Sequence, residues 1–373
     1  MSDTKVRFCV LGAGHGGTAM AAHLALKGFD VSLWNRSEAR LQSIQQLGAI
    51  ELLPPDDGRI EGGTGRILRA STNCEDVIAD ADILMVVVPA TGHKGVAGQL
   101  AHCVRDDQIV VLNPGRTGGA LLFRNELRKA GCTADPLIAE TQTFIYASRA
   151  VGPAQAKIFA LKNSVPVAAL PAYRTSEVVT ALRVAYPQFV PATNVLRTSL
   201  DNVAVMFHPA VMLVNAARIE DSHGDFEYYL GGVTPSVARY LEAVDDERIR
   251  VADALGIGAM RVRTWLYVSY DAAGRDLHEA VQANPGYKGI KAPQSLLHRY
   301  ITEDVPTSLI PMISLGQQYG VELPTMRSIV HLCSLVIGQD FWQEGRTVED
   351  MGVAGLTVRQ LRKLVDEGEL DDA

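Results

Sequence analysis

Along the first half of the chain short apolar runs alternate with amphipathic stretches; along the second half long helical patterns take over. The apolar runs predict strands at 6–11, 30–34, 82–88, 108–112 and 136–140. The stretches between them predict helices near 15–28, 37–48, 92–103 and 117–130. That alternation is the mark of βαβ units on a parallel sheet. Residues 50–72, rich in Gly, Pro and Asp, predict an irregular excursion with short strands. KIFALKN and VPVAALPA, within 157–172, predict further strands that close the first domain, with antiparallel pairing one option. A helix near 174–186 then precedes PQFVPATN, which reads as a proline-punctuated linker. Helical patterns follow at 209–220, 234–255, 259–273, 305–319, 324–338 and 356–367, and the acidic end DEGELDDA reads as a solvated tail. The expectation is an α/β domain over 1–190 and an all-α domain over 191–373.

A chain of 373 residues exceeds one ordinary core, which agrees with two domains. The net charge of -7 and the lack of a basic block argue against a nucleic-acid partner. The longest strongly apolar run, ILMVVVPA at 83–90, is far short of a membrane span. No basic-then-apolar signal precedes the first strand, so the expected location is cytoplasmic. The cysteines at 9, 74, 103, 132 and 333 form no CxxC pair, and the nine histidines form no HExxH. Reduced thiols and a metal-free protein are the expectation.

The first strand runs into LGAGHGG, which places Gly12, Gly14 and Gly17 in GxGxxG spacing directly before a helix. Gly12 permits a tight turn, Gly14 lets a pyrophosphate approach the backbone, and Gly17 allows close helix packing. The free N–H groups of the helix start, at His15, face the same phosphates. Strand, turn, helix and second strand within about 30 residues make a dinucleotide site of the Rossmann type on a doubly wound sheet. The second strand ends in Asn35-Arg36 where an acid would bind the ribose hydroxyl of NAD. A polar residue followed by arginine favours the 2′-phosphate of NADP, with NAD as the alternative. Arg36 is otherwise a solvated helix-start residue paired with Glu38. Three further loops, VVVPATGHKG with Pro89, LNPGRTGG with Asn113 and Arg116, and AETQTF with Thr141 and Thr143, reach the carboxyl edge of the sheet, where ligands of such folds bind.

In the helical half, FHPAVMLVNAARIE sets His208 before Pro209 and an apolar helical run. Proline suits a first helical turn, so His208 is expected at the N-cap, where a helix dipole favours the neutral ring. In HRYITEDVP, Asp304 heads another helix and Arg299 stands five residues upstream. A carboxylate beside an imidazole fixes its tautomer and stabilises its charged form, the usual arrangement of a histidine acid/base. Helix capping is the plainer role for both residues.

At GAGHGG, FHPAVMLVNAARIE and GYKGIKAPQSLLHRYITEDVP the chain resembles the opine dehydrogenase family over nearly its whole length. The resemblance implies a Rossmann domain followed by an all-helical one. It implies reduction, by NADH or NADPH, of the imine formed between an α-keto acid such as pyruvate and the amine of an amino acid. It places the family's acid/base dyad on His208 and Asp304 and a carboxylate-binding arginine on Arg299. Arg116, Thr141 and Thr143 become keto-acid contacts; beyond the resemblance, Lys288 or Lys291 are either further carboxylate ligands or solvated loop residues. Small molecules are the implied partners, and a monomer and a homodimer both occur in the family. Two departures leave the substrate open: Thr307 stands where an aromatic is common, and Arg116 where several members have glutamine. The rivals are a two-domain dehydrogenase of a hydroxy acid or polyol phosphate and a non-catalytic NADP-binding sensor.

Overall fold

The computed structural model describes residues 5–54, 58 and 60–369, and the chain divides into two compact units. One comprises Met1–Ser199 with Gln360–Ala373, the other Leu200–Arg359. The division therefore falls downstream of the expected boundary at 190, and the end of the chain returns to the first unit.

The first unit is built on an eight-stranded sheet: β1 (Arg7–Leu11), β2 (Asp30–Trp34), β5 (Arg69–Ser71), β6 (Ile83–Val86), β7 (Ile109–Leu112), β8 (Leu137–Thr141), β11 (Val165–Leu170) and β12 (Phe189–Pro191). The order is β12-β11-β8-β7-β6-β1-β2-β5. All neighbours are parallel except β11 against β8. Its central strands are mostly apolar runs, such as ILMV in β6, which is buried at every residue as a sheet covered on both faces requires, while the edge strand β5 is polar and partly exposed. β1 pairs with β2 on one side and β6 on the other, so the strand order reverses at β1 and opens a crevice at its carboxyl end.

A second sheet, ordered β4-β3-β10-β9, joins β3 (Ala49–Leu53), β4 (Gly63–Arg66), β9 (Tyr146–Gly152) and β10 (Gln155–Leu161). It carries the expected excursion near 50–72, of which residues 55–57 and 59 lie outside the described residues. β10 pairs here, while β11 joins the main sheet; β9 is an element the sequence reading passed over. PQFVPATN is not a linker: its centre is β12, paired in parallel with β11 at the sheet edge, where proline is tolerated.

The helices of this unit are α1 (His15–Leu26), α2 (Gln42–Leu47), α3 (Cys74–Ile78), α4 (His93–Leu100), α5 (Gly119–Lys129) and α6 (Thr175–Arg183), with α7 (Val195–Leu200) running to the boundary. The second unit is helical: α8 (Ala204–Val214), α9 (Ala216–Ser222), α10 (Pro235–Ala254), α11 (Val262–Tyr270), α12 (Leu277–Gln282), α13 (Arg299–Thr302), α14 (Ile310–Gln318), α15 (Pro324–Ile337) and α16 (Phe341–Glu344). Its framework is pinned by the fully buried Arg248 of α10, which reaches Asp245 at 2.5 Å and the carbonyls of Leu200 and Met260 at 2.5 Å each. The last helix, α17 (Val358–Glu367), carries the start of the expected acidic tail. Asp366 there accepts from Asn194 at 2.8 Å, so the first residue of that tail is held by the fold; residues 370–373 lie outside the described residues. Among the described residues no single helix is long and apolar enough to cross a membrane.

Candidate active site

In the first unit the glycine turn follows β1 directly. The Gly12 N–H donates to the Trp34 carbonyl at 2.8 Å, which ties the turn to β2. Gly12 adopts φ +120, a conformation that L side chains rarely take, and a Cβ there would lie 2.4 Å from the Val87 carbonyl oxygen. At Gly17 a Cβ would lie 1.7 Å from the Gly12 carbonyl oxygen, so glycine lets α1 start on top of the turn. Gly14 is different. Its backbone is extended at φ -85, and a Cβ would meet nothing within 4 Å. The fold does not need glycine at this position; the approach of a ligand would.

Asn35 does not lie free at the strand end. It is buried, accepts the Ala13 N–H at 3.0 Å and donates to the Ser37 carbonyl at 3.1 Å, bracing the turn. Arg36 beside it is exposed and makes no ion pair among the described residues, so the expected alternative of a pair with Glu38 is not formed. His15 is exposed and its Nδ1 accepts the Ala150 N–H at 3.0 Å, which fastens α1 to β9. Pro89 is exposed just beyond β6. Asn113, nearly fully buried beyond β7, donates to the Val111 carbonyl at 2.8 Å, while its Oδ1 has no hydrogen-bond partner among the described residues. An open cradle at Gly14, an unused buried acceptor at Asn113 and an unpaired guanidinium at Arg36 suit a dinucleotide: phosphates, a carboxamide donor and a ribose phosphate respectively.

The loops after β7 and β8 are organised by Glu140, which is fully buried. Its Oε1 accepts from the Thr198 hydroxyl at 2.6 Å and the Ser199 hydroxyl at 3.2 Å, and its Oε2 from the Ala120 N–H at 2.8 Å in the first turn of α5. Ser199 in turn accepts the Gly118 N–H at 2.9 Å. This sets the loop that carries Arg116, a buried residue at φ 60. Thr141 is 1% exposed, and its hydroxyl donates to the Leu112 carbonyl at 3.3 Å. Thr143 accepts from Lys162 at 2.7 Å.

In the second unit the structure brings His208 and Asp304 together. His208 Nδ1 lies 2.6 Å from Asp304 Oδ2. The Asp304 side chain is 1% exposed and that of His208 16%. A carboxylate can only accept, so Nδ1 carries the hydrogen and Nε2 is left as the basic nitrogen. The Tyr300 ring stacks on the imidazole, centroids 3.8 Å apart and planes at 12°. The Tyr229 hydroxyl is 3.4 Å from Nε2. Burial pushes the Tyr229 phenol well above its ordinary value, which keeps it a protonated donor. The Tyr228 hydroxyl donates to the His208 carbonyl at 2.7 Å. Two tyrosines thus contact the ring itself and a third holds its backbone, all outside the residues that sequence pattern singled out.

One expectation about these residues fails and one holds. His208 is not an N-cap: α8 begins at Ala204 and Pro209 sits inside it, so the field of a helix N-terminus does not act there. Asp304 does head a helical segment, as expected, although its side chain makes no capping hydrogen bond there. It joins α13 to a π-helical turn, Val305–Leu309, which passes straight into α14. Pro306 and Pro311 supply no N–H, and the freed Pro306 carbonyl accepts from the Arg346 N–H at 2.9 Å. Arg299 lies on α13, mostly exposed, with its guanidinium 3.0 Å from Glu303 one turn on. Lys291 pairs with Asp225 at 2.7 Å on the surface, and Lys288 is exposed. The five cysteines are free, and no metal-binding group of side chains occurs among the described residues.

The chain is 40% identical over 366 residues to an opine dehydrogenase of Arthrobacter sp. (strain 1C), which covers 98% of this chain and 100% of that protein. The chain belongs to the opine dehydrogenase family. Like the family it is an NAD(P)-dependent oxidoreductase acting on CH–NH bonds. Residues 191–337 match the NAD/NADP octopine/nopaline dehydrogenase alpha-helical domain. Residues 7–115 match the NAD-dependent glycerol-3-phosphate dehydrogenase N-terminus. Protein ocs of Agrobacterium tumefaciens (strain Ach5) is 26% identical over 94% of this chain and 96% of its own length. Among solved structures, octopine dehydrogenase in complex with NADH and agmatine has a TM-score of 0.81 at 21% identity, covering 99% of this chain and 100% of that one. NADP+-bound yersinopine dehydrogenase has a TM-score of 0.76 at 16% identity, covering 97% and 98%. Both share the fold.

Proposed function

We propose that this opine dehydrogenase condenses an α-keto acid, pyruvate being the simplest, with the amine of an amino acid, and reduces the resulting imine with NADPH in preference to NADH. His208 and Asp304 are its acid/base pair. The observation that carries this reading is the 2.6 Å contact between His208 Nδ1 and the buried Asp304 carboxylate.

The chemistry needs one proton moved twice. His208 Nε2 takes a proton from the substrate ammonium, which frees the amine lone pair to attack the keto carbon. The imidazolium so formed is stabilised by Asp304 through Nδ1. It returns the proton to the carbinolamine oxygen, the C–O bond breaks, water leaves and an iminium ion remains. The bound cofactor supplies hydride to the iminium carbon, giving a secondary amine. Tyr300 holds the plane of the ring through both states, and the Tyr229 hydroxyl can donate to neutral Nε2 or accept from its protonated form. Arg299 would turn from Glu303 to a substrate carboxylate, in the paired geometry that guanidinium and carboxylate favour.

The unpaired Arg36 supports the preference for NADPH, since a 2′-phosphate would complete its charge. The test is steady-state kinetics with both cofactors on wild type and Arg36→Gln. The substitution should raise the KM for NADPH by about tenfold to a hundredfold, the weight of a charge-assisted bond, and leave that for NADH within about threefold. Equal effects on both cofactors would remove Arg36 from the cofactor site.

A further inference from the structure

We infer that Asn202 is a positioning residue for the acid/base pair: through Ser308 it fixes the π-helical turn headed by Asp304, and so aims the carboxylate at His208. The inference rests on the acid/base reading of His208 and Asp304 given above and adds what holds the pair in register.

Residues 202–208, which lead into α8, meet the π-helical turn Val305–Leu309 and the Asp304 at its head in two places. One is the 2.6 Å contact of His208 with Asp304. The other is Asn202, whose Nδ2 donates to the Ser308 hydroxyl at 3.1 Å. From 202 to 208 the partners step back from 308 to 304, so the two segments run antiparallel and the contacts are two rungs between them. Asp304 and Ser308 are four residues apart, a spacing that puts both on one face of a helical turn. Where Ser308 is held therefore decides where the carboxylate points.

The anchor is stiff on the Asn202 side. The two residues before it are gripped by their surroundings: the Leu200 carbonyl accepts from the buried Arg248, and Asp201 accepts the Met260 N–H at 2.8 Å. The turn itself needs holding, because a π-helical ladder is a rare alternative to the α-helix that follows it. Stability alone does not call for this rung. Asn202 and Ser308 are both buried, next to the buried apolar residues Val203 and Leu309. An amide and a hydroxyl there exchange water for one neutral hydrogen bond, and an apolar pair of the same shape would serve the core about as well. What the polar rung adds is direction, since it is satisfied only when the turn sits in one register.

The experiment replaces both partners at once, Asn202→Leu with Ser308→Ala, so that no orphaned amide is left in the core. Steady-state NADPH oxidation with keto acid and amino acid present should show kcat lower by about tenfold to a hundredfold, the cost of a misplaced catalytic group. KM for both substrates and the melting temperature should stay close to wild type. The low-field proton resonance of His208 Nδ1, hydrogen-bonded to the Asp304 carboxylate, should shift or broaden. In an Asp304→Asn background the same double change should lower kcat by less than about threefold, because the charge it aims is already gone. A kcat within about threefold of wild type would overturn the inference. So would the same fold-loss in both backgrounds, or a double variant that no longer folds, since either makes Asn202 and Ser308 structural residues and nothing more. Asp304→Asn without effect on kcat would instead overturn the acid/base reading on which the inference stands.

Discussion

Asp304→Asn is the most informative single change, because it removes one charge and almost nothing else. The amide is the same size, and its oxygen can still accept the hydrogen of His208 Nδ1 across the observed 2.6 Å. What disappears is the attraction between carboxylate and imidazolium when the ring holds the substrate's proton. At an effective dielectric of ~20, two unit charges in close contact attract by about 4 kcal/mol. A neutral hydrogen bond retains about 1 kcal/mol of that. The remaining loss of about 3 kcal/mol corresponds to about 150-fold in rate. Steady-state NADPH oxidation with both substrates present should therefore show kcat and kcat/KM falling together by about two orders of magnitude. The dissociation constant of NADPH, a ligand of the first unit, should stay put. A kcat within threefold of wild type would refute the assignment and leave Asp304 as a packing residue of the π-helical turn.

Two other perturbations separate folding from binding. Gly14→Ala should fold with its melting temperature unchanged, because its Cβ meets nothing within 4 Å, yet bind NADPH at least about tenfold more weakly. Gly17→Ala should lose both, since its Cβ would lie 1.7 Å from backbone; equal behaviour of the two variants would contradict the division of labour in the turn. Stability should also fall in mild acid on account of His23, which is buried with its Nδ1 2.8 Å from the Tyr146 hydroxyl. Burial, then Lys27, lowers His23 from 6.5 to about 4, so the unfolded chain takes up its proton first. Its contribution is complete above about 6.5 and is lost as pH drops toward 4, roughly 3 kcal/mol in all. Urea unfolding at stepped pH should show that loss in wild type and a flatter profile in His23→Phe; identical profiles would remove His23 from the cause.

What could be read from the sequence was what neighbouring residues decide. The apolar runs of β1, β6, β7 and β8 are almost wholly buried, so composition alone marked them, and β2 was marked by the alternation of DVSLW. GxGxxG carried its own context of strand, turn and helix. β9 was missed because Tyr146–Gly152, in a small, partly solvated sheet, buries only Tyr146 and otherwise alternates half-buried and exposed residues, so that it reads as polar loop. β12 was mistaken for a linker because Pro191 is allowed only at an edge, and the edge is a tertiary fact. The same holds for His208. A proline after histidine favours a helix start locally, but Ala204–Val214 forms around it, with the His208 carbonyl taken by Tyr228. Tyr229 had no signal at all, and Tyr300 none beyond its place in HRYITEDVP. Their significance lies in contacts with residues far away in sequence, and no periodicity encodes those.

The central claim is that hydride ends on a carbon bonded to nitrogen. Incubating the protein with [4-2H]NADPH, a keto acid and an amino acid, and locating the deuterium by mass spectrometry, tests it directly. The account predicts deuterium on the α-carbon of a secondary amine, formed only when both keto acid and amine are present. Deuterium on the carbinol carbon of a hydroxy acid, formed without amine, would contradict it.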